Sequence, residues 1–267
     1  MPTTPQIALL LTAVALFAIG GCISVARLRW NTRTMRITGK SSLYWGTAIA
    51  IAVLILHSIT RKSWIPIGDN FDALIWLAVL LALFTEYVQG TRPLAALDWF
   101  IMPIVIALLV LAAVFGRVEF HPYIGQAWTY VHRLTSYVGA VAFAVAAASG
   151  AMYVGASARL RQKQPSSVYL GSLERLERLT MTAVTLGFAL LTIGIITGAV
   201  ELIFLKKPTS SWKIALTACV WLVYAIVLHA PLNPIFRGRR AAVLSVLGFA
   251  LMLGTLVAVQ FGSGAGK

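Results

Sequence analysis

The chain has 267 residues, 59% of them apolar and only 11% charged. A water-soluble protein of this length has more surface than so few charges can cover, so the composition excludes a soluble globular fold and indicates a membrane protein. The formal net charge of +14 sits in short segments between apolar runs, which reads as topology and anionic-lipid contact and not as a nucleic-acid surface.

Crossing a hydrocarbon layer of roughly 30 Å takes about 20 apolar residues in an α-helix. Runs of that kind recur along the whole chain, at 7–26, 41–60, 71–89, 99–116, 128–156, 179–203, 212–230 and 241–261. The fold class expected is therefore all-α, a polytopic transmembrane bundle of about eight spans forming a single membrane domain over 1–267. The first run ends at Arg27, Arg29, Arg33, Arg36 and Lys40, and the second at Arg61-Lys62. Asp69-Asn70 and Arg92-Pro93 bracket the third, and Asp98 and Arg117 the fourth. Between the fifth and sixth runs, Pro165-Ser166-Ser167 breaks the chain. The stretch Leu173-Glu174-Arg175-Leu176-Glu177-Arg178-Leu179 then reads as an amphipathic helix start with a solvated charged face.

Lys and Arg are retained on the cytoplasmic side of a membrane. Alternate loops hold 14 of the 22 basic residues, which makes those loops cytoplasmic and puts both termini outside. Ile19-Gly20-Gly21-Cys22 loosely resembles a lipoprotein cleavage site, but no basic residue precedes it, so the first run is read as a retained helix. Cys22 and Cys219 lie inside apolar runs without a partner at metal or redox spacing, and no Cys-x-x-Cys-His haem-attachment motif exists.

Ionisable side chains at membrane depth are costly, which makes the histidines functional candidates. His57 lies four residues before Arg61 and His132 four residues after Trp128, so both sit in the outer half of the membrane. The i, i+4 spacing puts Trp128 and His132 on one helical face. Two readings stand for this pair. Two neutral imidazoles can ligate a haem iron between helices, or each can simply hydrogen-bond a neighbouring helix or water. His229, at the inner end of the seventh run before Ala230-Pro231, is either part of a second, inner site or a helix-end cap. His121 precedes Pro122 in a loop and reads as solvated. Glu86 and Glu201 fall near span ends, where carboxylates usually snorkel or pair. Gly194-x-x-x-Gly198, with Ser136, Gly139 and Ala140, allows close helix packing. Paired carboxylates, a Ser-His-Asp set, a phosphate-cradling Gly loop and a zinc-ligand cluster are all missing from the sequence, so no enzymatic activity is expected.

Two stretches together resemble the cytochrome c assembly family of haem-handling membrane proteins. One is Trp128-x-x-x-His132-x-x-x-Ser136-Tyr137. The other runs from Leu173-Glu174-Arg175-Leu176 through Leu186-Gly187-Phe188 and Gly194-x-x-x-Gly198 to Trp212-Lys213, Trp221-Leu222-Val223-Tyr224-Ala225 and Arg237-Gly238-Arg239-Arg240-Ala241. His57 is similar to a histidine of the HemX-like branch, whose members have eight spans and an outside N-terminus. The full haem-delivering members carry a tryptophan-rich outer motif ending in Trp-Asp, and a second outer histidine after the last helix. Here Phe204-Leu205-Lys206-Lys207-Pro208-Thr209-Ser210-Ser211-Trp212 has no aspartate, and the segment 260–267 has no histidine.

The resemblance implies a multi-pass protein of a bacterial cytoplasmic membrane that binds non-covalent, b-type haem. It implies an accessory role in cytochrome c biogenesis, with the bilayer, haem and other assembly proteins as partners and no nucleic acid. On this reading His57 and His132 are axial ligands, Trp128 and Tyr137 line the pocket, and His229 matches a membrane histidine of the haem-delivering branch. The rival readings are a non-haem scaffold that regulates haem synthesis or assembly, working through its basic loops, and a transporter whose Glu86 and Glu201 line a cavity.

Overall fold

A computed structural model of the chain describes residues 2–27, 33–61, 66, 69–91, 97–116, 127–162, 172–204, 211–229 and 238–262. These form eight α-helices: α1 (Thr4–Ala26), α2 (Arg33–Arg61), α3 (Asn70–Thr91), α4 (Leu97–Phe115), α5 (Ala127–Arg161), α6 (Leu173–Phe204), α7 (Ser211–His229) and α8 (Arg239–Gly262). Among the described residues there is no strand, and seven helices, α1 to α7, are long and apolar enough to cross a membrane. The eighth expected span, 241–261, coincides with α8, whose side chains beyond residue 255 lie outside those described.

The helices overrun the apolar runs where charge does not oppose helix formation. Thus α2 starts at Arg33, inside the basic cluster, and α5 continues to Arg161 past the end of its apolar stretch. Lys and Arg are good helix formers and can extend a span into the headgroup region. The sixth helix begins at Leu173, as its amphipathic start requires. His121, the Pro165-Ser166-Ser167 break and residues 205–210 and 263–267 lie outside the described residues.

The chain divides into two compact units, residues 1–122 with 165–170, and residues 123–164 with 171–267. In the first unit α1 packs on α2 and α4, and α3 on α4 and α2. Leu10, Phe17, Ile75, Leu81, Ile101 and Leu109 fill its core. Pro103 sits inside α4, a position that membrane helices tolerate because neighbours and local adjustment re-satisfy the freed carbonyl.

In the second unit α5 packs along α6 and α8, and α7 against α8 and α6. Every residue from Ala142 to Gly150 on α5 is buried, in the sequence Ala-Phe-Ala-Val-Ala-Ala-Ala-Ser-Gly. Lipid tails are as apolar as the side chains, so helices associate in a bilayer through close packing, and small residues permit it. A Cβ on Gly150 would stand 2.8 Å from the Ala242 carbonyl oxygen, which measures how nearly the α5 and α8 backbones touch. Phe143 of α5 stacks on Tyr224 of α7 with centroids 3.6 Å apart, and Ser149 and Thr180 share a buried hydrogen bond of 2.8 Å. Large apolar side chains such as Trp45, Ile59 and Phe204 point outward, the distribution expected of a surface solvated by lipid.

The span-end carboxylates depart from the snorkelling expectation. Glu201 is 2% exposed, within the second unit. Glu86 is half-buried and accepts a 2.7 Å hydrogen bond from the Thr47 hydroxyl.

Candidate functional site: two histidine environments

His132 lies in the second turn of α5, half-buried against α6. Its Nδ1 is 2.7 Å from the Gly194 carbonyl oxygen. A carbonyl can only accept, so Nδ1 carries the proton, and in the neutral ring Nε2 keeps its lone pair for a ligand. This is how histidines that bind metals are usually oriented, with the second nitrogen fixed by a backbone carbonyl. The ring rests on Gly198, where an added Cβ would stand 2.9 Å from Cε1 and 3.1 Å from Nδ1. Gly194 and Gly198 therefore seat an imidazole as well as a neighbouring helix. Trp128, one turn earlier on the same face, is 53% exposed, and Tyr137 is half-buried.

His57 of α2 occupies a different environment, in the first unit, and is 2% exposed. The Thr3 backbone N–H donates to Gln6 Oε1 at 2.8 Å, which turns the Gln6 amide nitrogen toward His57 Nδ1, 3.2 Å away. An amide nitrogen can only donate, so His57 Nδ1 accepts, and in the neutral ring the proton sits on Nε2. Gln6 also donates to the Thr60 hydroxyl at 3.3 Å. On its other side, Nε2 faces Asp69 Oδ2 and Asp72 Oδ1, each 3.5 Å away. Arg61, one turn below His57, pairs with Asp69, and the Phe71 ring lies 5.1 Å from the imidazole. Asp69 and Asp72 stand at the start of α3, three residues apart and therefore on one helical face.

His229 ends α7 as an exposed residue, and its Nδ1 donates to the Ala225 carbonyl of its own helix at 2.7 Å. That bond returns to a carbonyl four residues back in its own helix, which the helix ladder already uses.

The structure thus places each of the three described histidines in its own setting, and adds residues the sequence reading passed over. Asp69, with Asn70, marked a span boundary in the sequence, and Asp72 and Gln6 were not singled out. The i, i+3 carboxylate pair opening an apolar helix was the signal available for Asp69 and Asp72. For Gly198 it was the GxxxG spacing, with nothing in the sequence to say that a histidine fills the gap.

Long apolar helices packed through small residues define a polytopic helical membrane protein. The chain belongs to the family described as "Cytochrome C assembly protein", whose model matches residues 35–264. It is similar to proteins named "Cytochrome c biogenesis protein CcsA". The one from Thermosynechococcus vestitus is 42% identical over 76 residues, 28% of this chain and 24% of that one. The one from Prochlorococcus marinus is 33% identical over 88 residues, covering 31% and 27%. The one from Synechococcus elongatus is 42% identical over 71 residues, covering 26% and 22%. The matched stretches span about a quarter of the length of these relatives.

Proposed function

We propose that this protein handles haem in cytochrome c biogenesis, as an accessory membrane factor and not as a complete haem-delivering synthase. Family membership and the CcsA relatives support the process. The single observation that carries the haem reading is the His132 seat, an imidazole oriented by Gly194 O with Nε2 left as the basic nitrogen. The residues present fit a haem at this position. His132 offers the iron a neutral axial nitrogen, the glycine pair gives the ring its place, and Trp128 and Tyr137 supply aromatic surface on the same helix. Bound haem would supply the redox chemistry, and the chain would hold and orient it. The missing Trp-Asp motif at 204–212 favours the accessory role.

His57 is proposed as the second axial ligand by its resemblance to the HemX-like histidine. Ligation through Nε2 requires that nitrogen to lose its proton and Nδ1 to give up the Gln6 hydrogen bond, so His57 contributes at a cost that His132 does not carry. His229 is the candidate for an inner site. Its ring nitrogen opposite the Ala225 hydrogen bond is the one that would bind.

The test is the visible spectrum of the detergent-purified protein, oxidised and dithionite-reduced. A sharp Soret band with split reduced α and β bands is expected, and His132→Ala should remove or broaden them. Haem content that is unchanged in both His132→Ala and His57→Ala would sink the ligand assignment. A signal that survives in His132→Ala and disappears when His229→Ala is added would assign the inner site. A protein that stays colourless after haem is added would favour the regulatory scaffold.

A further inference from the structure

We propose that His57, Asp69 and Asp72 form a binding site for a divalent transition-metal cation of the zinc type, at the α2/α3 end of the first unit. All three side chains are at least 97% buried, and one ligand atom from each lies within 4.8 Å of the others. The distances point away from an ordinary hydrogen-bonded cluster. His57 Nε2 stands 3.5 Å from Asp69 Oδ2 and 3.5 Å from Asp72 Oδ1, beyond the usual N–H···O range. Neither Nε2 nor Asp72 Oδ1 has a hydrogen-bond partner, although both are out of contact with solvent. Buried polar atoms are nearly always paired, and exceptions call for an ion, a water or a functional reason. Ligands bound about 2.1 Å from a tetrahedral ion lie roughly 3.4 Å from one another, close to the two separations seen here.

Charge points the same way. Among the described residues, two buried carboxylates face one Arg61 guanidinium and an imidazole whose Nδ1 accepts from Gln6. Buried charge is costly unless it is paired or bound to a metal. Neutral imidazole with two carboxylates is a donor set suited to zinc-type ions, and a hard cation such as calcium would want more oxygens. Cation binding moves the imidazole proton from Nε2 to Nδ1. The Gln6 amide then turns over to accept it, and the Thr3 N–H gives up Oε1. Arg61 is the built-in competitor, because its guanidinium, on a side chain 25% exposed, holds the buried Asp69.

The site and the haem reading would compete for His57 Nε2, and the test keeps the two apart. Purified full-length protein, stripped with chelator, is titrated with Zn²⁺, and bound metal per chain is measured by elemental analysis after desalting. One equivalent is expected, with Asp72→Asn and His57→Ala binding at least about tenfold more weakly. Arg61→Gln should bind as tightly as the wild type or several-fold tighter, since it removes the competing cation. That variant guards against reading a folding defect as a lost ligand. Two results would overturn the site. One is no stoichiometric zinc in the wild type. The other is Arg61→Gln losing zinc as fully as Asp72→Asn while circular dichroism and elution volume stay native. If zinc binding is absent while His57→Ala still weakens the haem spectrum, His57 belongs to the iron alone.

Discussion

At the scale of single residues, the chemistry rests on which nitrogen of each imidazole holds the proton, and the partner atoms decide it. His132 donates to a carbonyl and offers Nε2, while His57 accepts from an amide and turns an N–H toward two carboxylates. Residues of one type, both at span ends, are thereby prepared for different work. Gly198 is the most sensitive test of the His132 seat. In Gly198→Ala the new methyl would lie 2.9 Å from Cε1, so the ring must leave its place or α6 must shift. Haem affinity should drop about tenfold or more, as when an orienting partner of a ligand is lost. Gly139→Ala is the control on the same helix pair. Its new methyl meets Leu190 Cβ at 3.4 Å, an ordinary contact, and haem binding should be retained. Haem titration of the two variants measures the difference.

At the scale of elements, packing between small residues sets the geometry that holds the second unit together. Gly150 faces the Ala242 carbonyl of α8, and backbone cannot swing aside as a flexible side chain can. Gly150→Ala should therefore push α5 and α8 apart and cost about 1–3 kcal/mol, the usual range for overpacking a close-packed interior. The measurement is unfolding in mixed micelles of increasing SDS fraction, followed by circular dichroism. A variant with an unchanged midpoint would show that α8 adjusts freely to α5. The amphipathic start of α6 carries the exposed pair Glu174–Arg178, 3.2 Å apart. Exposed helix pairs of this kind contribute only a few tenths of a kcal/mol, so its value lies in keeping the first turns of α6 wet.

At the scale of the whole molecule, the distribution of basic residues predicts the side on which each connection lies. Residues 27–40 and 159–178 should be cytoplasmic, and both termini outside. Single cysteines placed at 30, 165 and 265 in a background without Cys22 and Cys219 give the check. Labelling of intact cells with a membrane-impermeant thiol reagent should reach 265 and spare 30 and 165. The opposite pattern would invert the topology and put the His132 end of α5 in the cytoplasm. It would leave the helices and their packing unchanged, because neither depends on which side faces outward.

The sequence alone determined that this is an all-helical membrane protein, and it located every helix, missing the start of α2 at Arg33 where the helix runs back into the basic cluster. Apolar length and flanking charge are properties of contiguous residues, and a bilayer demands both of any segment that crosses it. His57 and His132 also stood out as candidates, because an ionisable group within an apolar run is conspicuous. The partners of those histidines were not. Gln6 is 51 positions from His57 in the chain, and Gly194 is 62 positions from His132. Contacts of that separation leave no local pattern, and only helix packing brings them together. The same reason hid the carboxylates, since Asp69 marks a boundary in the sequence, Asp72 was not singled out, and the two meet His57 only where α3 packs on α2. Tertiary structure decided which ring nitrogen of His57 and of His132 carries the proton, because it alone supplied the partner atoms.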